Sequence, residues 1–256
     1  MRVTCVQLGG AWDSKDAALA EALACLDAAR GSDLVLLPEL WPSGYFSSER
    51  WAADAESADG PLVAALAAKA REIGVYLFTG SLVERDGSRL FNTSLLLDRD
   101  GRTVSRYRKM HLFGHQSQER RLLTAGEETV VVPTPWGLAG LSICYDLRFP
   151  ELYRRMIDAG AELLLVAAAW PAARREAWTL LSRARAAENQ AFVFACNAAG
   201  ANKGVAIAGH SLVVDPVGKV VAEAGEAPCL LSVDVDPAMA GRWRREFPAL
   251  DDRVLR

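Results

Sequence analysis

The sequence predicts an α/β fold, a four-layer α-β-β-α sandwich with two mixed sheets. Three observations carry that prediction. Segments of helical period alternate with short buried apolar runs in two stretches, the pattern of helices laid over sheets. Between them, short β segments are parted by Asp86-Gly87 and Asp100-Gly101, both strong hairpin signals, so the sheets contain antiparallel as well as parallel pairs. No repeat, linker or low-complexity tract divides the chain, so residues 1–256 read as a single domain.

The elements follow in order. The opening strand alternates through Val3-Thr4-Cys5-Val6-Gln7-Leu8. A helix over 15–30 carries leucines at 19, 23 and 26, with Ser14 placed to cap it. Residues 33–40 read as a buried strand that ends in a loop at Trp41-Pro42-Ser43-Gly44. A second helix over 61–73 begins with Pro61 in its first turn and stops at Gly74. Strands are expected over 75–84, 90–98 and 103–108, then a loop region to Gly126, then strands over 129–133 and 138–144. Pro150 starts a helix, 162–169 is a strand, and 174–189 is a helix. Strands over 191–197, 210–214, 219–224 and 230–234 complete the fold. The tail 243–256 carries Trp243, Phe247 and Leu250 among charges, and reads as an interface arm.

Composition narrows the function. A chain of 256 residues that is 51% hydrophobic can bury one large core, and a net charge of -3 excludes a nucleic-acid or membrane partner held by bulk charge. The five cysteines are scattered, with no CxxC pair, against a disulfide framework or a zinc cluster. The start enters a strand directly and no run approaches a membrane span, so the expected compartment is the cytoplasm.

Cys144 is the first candidate for chemistry. It ends an apolar strand and precedes Tyr145-Asp146-Leu147-Arg148-Phe149-Pro150, a strand-to-loop elbow where backbone N–H groups can face a carbonyl oxygen. Taken alone, a buried core cysteine is the better reading. Glu39 follows Leu34-Val35-Leu36-Leu37-Pro38, where an apolar setting raises a carboxyl toward a useful base; alone, it could equally cap a loop. Lys109 stands where a β segment breaks into a loop, either as a solvated edge charge or, if turned inward, as a cation for a developing oxyanion.

Leu36-Leu37-Pro38-Glu39, Tyr107-Arg108-Lys109-Met110-His111-Leu112-Phe113 and Ile143-Cys144-Tyr145-Asp146-Leu147-Arg148-Phe149-Pro150-Glu151 together resemble the three signature segments of the nitrilase superfamily of carbon–nitrogen hydrolases. The resemblance extends over almost the whole chain. It implies a nitrilase-like sandwich, a Glu39-Lys109-Cys144 triad and a thioester acyl-enzyme, with the Tyr145 N–H as a second oxyanion donor. A second glutamate after the lysine motif orients the lysine in many members. Glu119 matches it best, against the reading of a solvated loop charge. His111 is expected to support its loop, His115 to lie near the pocket mouth and His210 to be structural. The mechanism implied needs no metal and no cofactor.

Cys144-Tyr145-Asp146 resembles the amidase branch that holds ω-amidases and deaminated glutathione amidases, rather than the Cys-Trp-Glu of true nitrilases. Such substrates carry a carboxylate, for which Arg148, Arg174 and Lys203 are candidate readers, with a structural role in the common Arg-Phe-Pro-Glu segment also open for Arg148. Tyr45, Phe113, Tyr145 and Trp170 are candidate pocket walls, with a pure core role equally open. Ala169-Trp170-Pro171 departs from the Asn-Trp-Pro of many ω-amidases. The favoured reading is an amidase that takes a small linear amide and water, releasing ammonia. An N-carbamoyl hydrolase is the alternative, followed by a nitrilase and a non-catalytic interaction protein. The resemblance also implies a homodimer or a higher homo-oligomer.

Overall fold

The structure, a computed structural model, describes residues 1–10 and 14–255. Arg256, the last residue of the expected interface arm, lies outside the described residues.

The first half of the chain builds one sheet. It contains β1 (Arg2–Gln7), β2 (Leu34–Leu36), β3 (Tyr76–Phe78), β4 (Leu82–Asp86), β5 (Arg89–Leu97) and β6 (Thr103–Arg108). The second half builds the other from β7 (Val131–Thr134), β8 (Gly137–Ile143), β9 (Leu163–Ala168), β10 (Phe192–Asn197), β13 (Leu212–Val214) and β14 (Val220–Glu223), with a small hairpin, β11 (Ala201–Asn202) and β12 (Val205–Ala206), set apart. The last strand, β15 (Cys229–Asp234), returns to pair antiparallel with β1. The sheets share one plan. Parallel strands β1-β2-β3 and β8-β9-β10 form their centres, and antiparallel neighbours flank them.

Two-residue alternation explains the layers. In β2, Leu34 and Leu36 face the other sheet and join a core with Leu141, Ile143, Leu165 and Phe194, while Val35, and Leu37 just after the strand, face outward. That outer face is covered by α1 (Lys15–Ala28) and α3 (Pro61–Ile73) through Ala18, Ala22, Leu26, Leu62 and Leu66. Ser14 caps α1, accepting a hydrogen bond from Ala17 N at 3.1 Å. On the second sheet, α5 (Pro150–Asp158) and α6 (Arg175–Asn189) pack through Met156, Tyr153 and Trp178. The expected four-layer order is the order observed.

Three expected elements differ. The strand expected over 75–84 is two, β3 and β4, broken at Gly80. This glycine has φ +67°, and a Cβ there would stand 2.0 Å from Pro38 O, so the chain bends around the segment that carries Glu39. The loop expected up to Gly126 contains a helical turn, α4 (Glu119–Leu122), and a similar turn, α2 (Trp51–Asp54), lies in the loop after Glu39. The expected tail starts in a helix at Trp243. That residue lies inside α7 (Met239–Glu246), tied down by Arg244, whose guanidinium donates to the carbonyls of Gln190, Ala161 and Asn189. Sequence signals for these turns were weak because four residues carry no readable period.

Candidate active site

The carboxyl ends of β2, β8 and β9, with the end of β6, converge on one spot. That is where open α/β sheets usually carry ligands. Glu39 follows β2 by way of Leu37-Pro38 and Lys109 directly follows β6; Cys144 follows β8 and Ala169 follows β9. The two sheets are joined here by Glu39 N donating to Ala168 O at 3.2 Å.

Lys109 is 1% exposed, which removes the solvated-edge reading. Its ammonium lies 2.7 Å from Glu39 Oε1, 2.8 Å from Glu119 Oε1 and 3.0 Å from Glu119 Oε2. Burial alone would lower its pKa, but Glu119 and then Glu39 hold it well above the usual lysine range, so it stays a cation. Glu119 is 0% exposed at the start of α4, not a solvated loop charge. Besides Lys109, its oxygens accept from Tyr45 Oη at 3.1 Å, Phe113 N at 2.8 Å and Asn92 Nδ2 at 3.0 Å.

Glu39 is 1% exposed. Oε1 accepts from Lys109 and from Asn92 Nδ2 at 2.9 Å, and Oε2 accepts from Ala169 N at 3.0 Å. Burial raises its carboxyl above the ordinary range against the pull of Lys109. The Cys144 thiol is pushed well above the usual range by burial and then by the Glu39 charge.

Cys144 sits at φ +48°, in the left-handed region that side-chain-bearing residues avoid, at the head of a 3₁₀ turn through Arg148. Such strain persists only where the surroundings impose it. Asp146 imposes it here. Its fully buried carboxylate accepts from Ile143 N at 2.9 Å, Tyr107 Oη at 2.7 Å and His111 N at 3.0 Å, and it pairs with His111 Nδ1 at 2.7 Å. His111 in turn stacks on Phe149 at 3.9 Å. One side chain thus locks the cysteine elbow to the lysine loop. From the outer layer, Arg185 of α6 donates to Leu147 O at 3.1 Å and fixes the turn from behind.

Above Cys144 lies a narrow pocket lined by Tyr45, Phe113, Tyr145, Arg148, Trp170 and Arg174, which brings the sequence candidates together. Phe113 and Tyr145 meet edge to face at 4.9 Å. Arg148 lies over the Trp170 ring at 4.9 Å and Arg174 over Phe113 at 5.1 Å. Among the described residues neither guanidinium has a carboxylate partner. Lys203 does not join them. It pairs with Glu49 at 2.7 Å on the surface, because the β11–β12 hairpin carries it away from the pocket. His115 reaches only the rim beside Phe113, and His210 pairs with Glu223 at a strand start.

Sequence reasoning missed Asn92 and gave Asp146 and Tyr107 no role. A signal existed for Asn92. It opens the polar triplet Asn92-Thr93-Ser94 between the apolar runs Leu90-Phe91 and Leu95-Leu96-Leu97, and all three are buried. Among the described residues, no group of three or more His, Cys, Asp or Glu side chains is placed to hold a metal ion, and no helix is long and apolar enough to cross a membrane.

Comparison with known proteins gives a consistent result. Residues 2–245 match the Carbon-nitrogen hydrolase family. The chain is 38% identical over 230 residues to 2-oxoglutaramate amidase of Paenarthrobacter nicotinovorans, covering 87% of this chain and 78% of that protein. Its fold is similar to Saccharomyces cerevisiae Nit3, a member of branch 10 of the nitrilase superfamily, with a TM-score of 0.91 and 32% identity over 100% of this chain and 97% of that one. It is also similar to a variant of the Nesterenkonia sp. AN1 amidase showing Michael addition of acrylamide at the active-site cysteine. The TM-score is 0.85 and the identity 28%, over 98% of this chain and 99% of that one.

Proposed function

The chain belongs to the carbon–nitrogen hydrolase family, and on that premise we propose that it hydrolyses the terminal amide of a small linear carboxylic acid through a Cys144 thioester. It is a hydrolase of carbon–nitrogen bonds other than peptide bonds. One observation carries the residue roles: a buried Glu39-Lys109-Glu119 cluster beside a cysteine held at a strained elbow.

In the proposed sequence, Glu39 takes the Cys144 proton as the sulfur attacks the amide carbon. The tetrahedral oxyanion meets Lys109 Nζ and the Tyr145 N–H, which lies in the first turn after the strand and so lacks an intrahelical acceptor. The Lys109 bond to Glu119 straddles both carboxylate oxygens, which leaves one ammonium N–H for the oxyanion. Glu39 returns the proton to the leaving nitrogen, and ammonia departs. The same carboxylate then takes a proton from the water that opens the thioester, releasing the acid and restoring the thiol.

The two guanidiniums without carboxylate partners favour a substrate with an acid group at its far end. An ω-amide of a dicarboxylic acid, such as 2-oxoglutaramate, fits this chemistry, in line with the amidase relative. Five free thiols, among them the exposed Cys229, suit a reducing cytoplasm. A second copy of the chain is the partner we propose, supported by exposed Leu180, Phe247, Val254 and Leu255 on the α6 and C-terminal face. In this proposal the single domain ends in an interface arm and needs neither cofactor, nucleic acid nor membrane.

Ammonia release over succinamate, glutaramate, 2-oxoglutaramate, neutral aliphatic amides and carbamoyl amino acids tests the reading. The acid-bearing amides should be preferred, and Cys144→Ala should lose turnover altogether while keeping its melting temperature. Carbon dioxide released along with ammonia would replace the amidase reading by the carbamoyl one, and turnover by the Ala variant would overturn the thioester.

A further inference from the structure

Asn92 is fully buried on β5, cross-strand from Lys109, whose backbone N–H donates to Asn92 O at 2.9 Å. Its single amide nitrogen donates to Glu39 Oε1 at 2.9 Å and to Glu119 Oε1 at 3.0 Å. The same two oxygens also accept from Lys109 Nζ. Two like charges are thus held side by side by two shared donors, one charged and one neutral. The amide cannot be flipped, because Oδ1 would then face both carboxylates. In the orientation found, Asn92 Oδ1 is buried with no hydrogen-bond partner.

We propose that Asn92 is a positioning residue that fills Glu39 Oε1 permanently and so reserves Oε2 for the proton of Cys144. The inference rests on the thioester reading and assigns the proton to one atom within it. Oε1 accepts two hydrogen bonds, which uses both of its lone pairs, whereas Oε2 accepts one, from Ala169 N. Ala169, whose N–H holds Oε2, lines the pocket together with Cys144, which puts Oε2 on the thiol side. The step balances simply. The S–H bond of Cys144 breaks, an O–H bond forms on Oε2, and the negative charge passes from carboxylate to sulfur.

A donor to the ionised form also holds the Glu39 proton affinity down. Lys109, Glu119, the Cys144 thiol and the Tyr45 hydroxyl surround the same carboxylate, and all remain in the test variants. The experiment follows the rate of Cys144 alkylation by iodoacetamide against pH, with the modified peptide read by mass spectrometry, in the full-length protein and in Asn92→Leu. Asn92→Ser, smaller and polar, supplies the measurement should the leucine chain not fold. The acid limb of the profile should move to higher pH by about one unit, the shift expected for losing one hydrogen bond to a charged group. Amide turnover should show a fall in kcat with little change in KM.

An unmoved limb in a folded variant, with only the melting temperature lowered, reduces Asn92 to a structural residue and overturns the assignment. A different failure is separately visible. If wild-type Cys144 reacts no faster than exposed Cys229, the acyl-carrying role falls and takes the Asn92 assignment with it.

Discussion

The floor and the mouth of the same pocket are built by opposite rules. On the floor, Glu39, Lys109, Glu119 and Asn92 are all sealed from solvent, and every charge faces a partner within 3.0 Å. At the mouth, Arg148 and Arg174 carry charge with ring faces as their only neighbours of note, at 4.9 and 5.1 Å. Buried charges are tolerated only when paired, so the floor can change only as a unit. A partly solvated guanidinium on a ring keeps its hydration and its freedom to meet a new anion. The difference teaches that the floor's charges are fixed by mutual neutralisation, while the mouth's charges can be exchanged singly, which in the proposed reaction separates bond-breaking from substrate choice.

The largest test of that contrast is Lys109→Met, which keeps length and removes the charge. Two carboxylates would then face each other without a cation, and the elbow would lose its oxyanion donor. Turnover should fall by about a thousandfold or more, and urea unfolding should show a loss of roughly 3–5 kcal/mol. A variant that merely raised KM would break the comparison. Next in size is Arg148→Leu with Arg174→Leu. For amides bearing a carboxylate, KM should rise about 10- to 100-fold, the loss of one or two charge-assisted hydrogen bonds, with kcat nearly unchanged. Neutral amides should be unaffected, and an equal loss on both substrate types would assign the arginines to packing instead.

The sequence made Glu39, Lys109, Glu119 and Cys144 legible through the segments that carry them, while Asn92 was missed, and the reason is chemical. Glu39 and Cys144 each follow an apolar strand, Lys109 follows a polar one, and the three segments together resemble a single family. Their mutual distances were not legible, because β2, β6 and β8 are brought together by sheet pairings whose register no local pattern encodes. The fold class followed from strand and helix periods, yet the break at Gly80 did not. Only the approach of Pro38 O to that backbone explains it. Asp146 shows the same limit. It reads as one acid in a loop, and its role arises from Tyr107 and His111, which come from another sheet and its following loop. At the mouth, Lys203 was indistinguishable from Arg174 in sequence, and only the hairpin carrying it toward Glu49 separates them.

The smallest effect sharpens where floor ends and mouth begins. Tyr45 belongs to both: its ring lines the pocket and lies 5.5 Å from the Lys109 ammonium, while its hydroxyl donates to Glu119 at 3.1 Å. The loop that carries it is pinned by Asn202, whose Oδ1 accepts from Phe46 N at 2.7 Å. Tyr45→Phe keeps the wall and removes one of the hydrogen bonds that Glu119 accepts. Because Lys109, Asn92 and Phe113 N still hold that carboxylate, a drop of about tenfold at most in kcat is expected, with KM unchanged, near the net worth of one hydrogen bond to a charged group. A rise in KM with kcat intact would instead place the hydroxyl among the groups that touch substrate, and would move the boundary between the two regions one residue deeper.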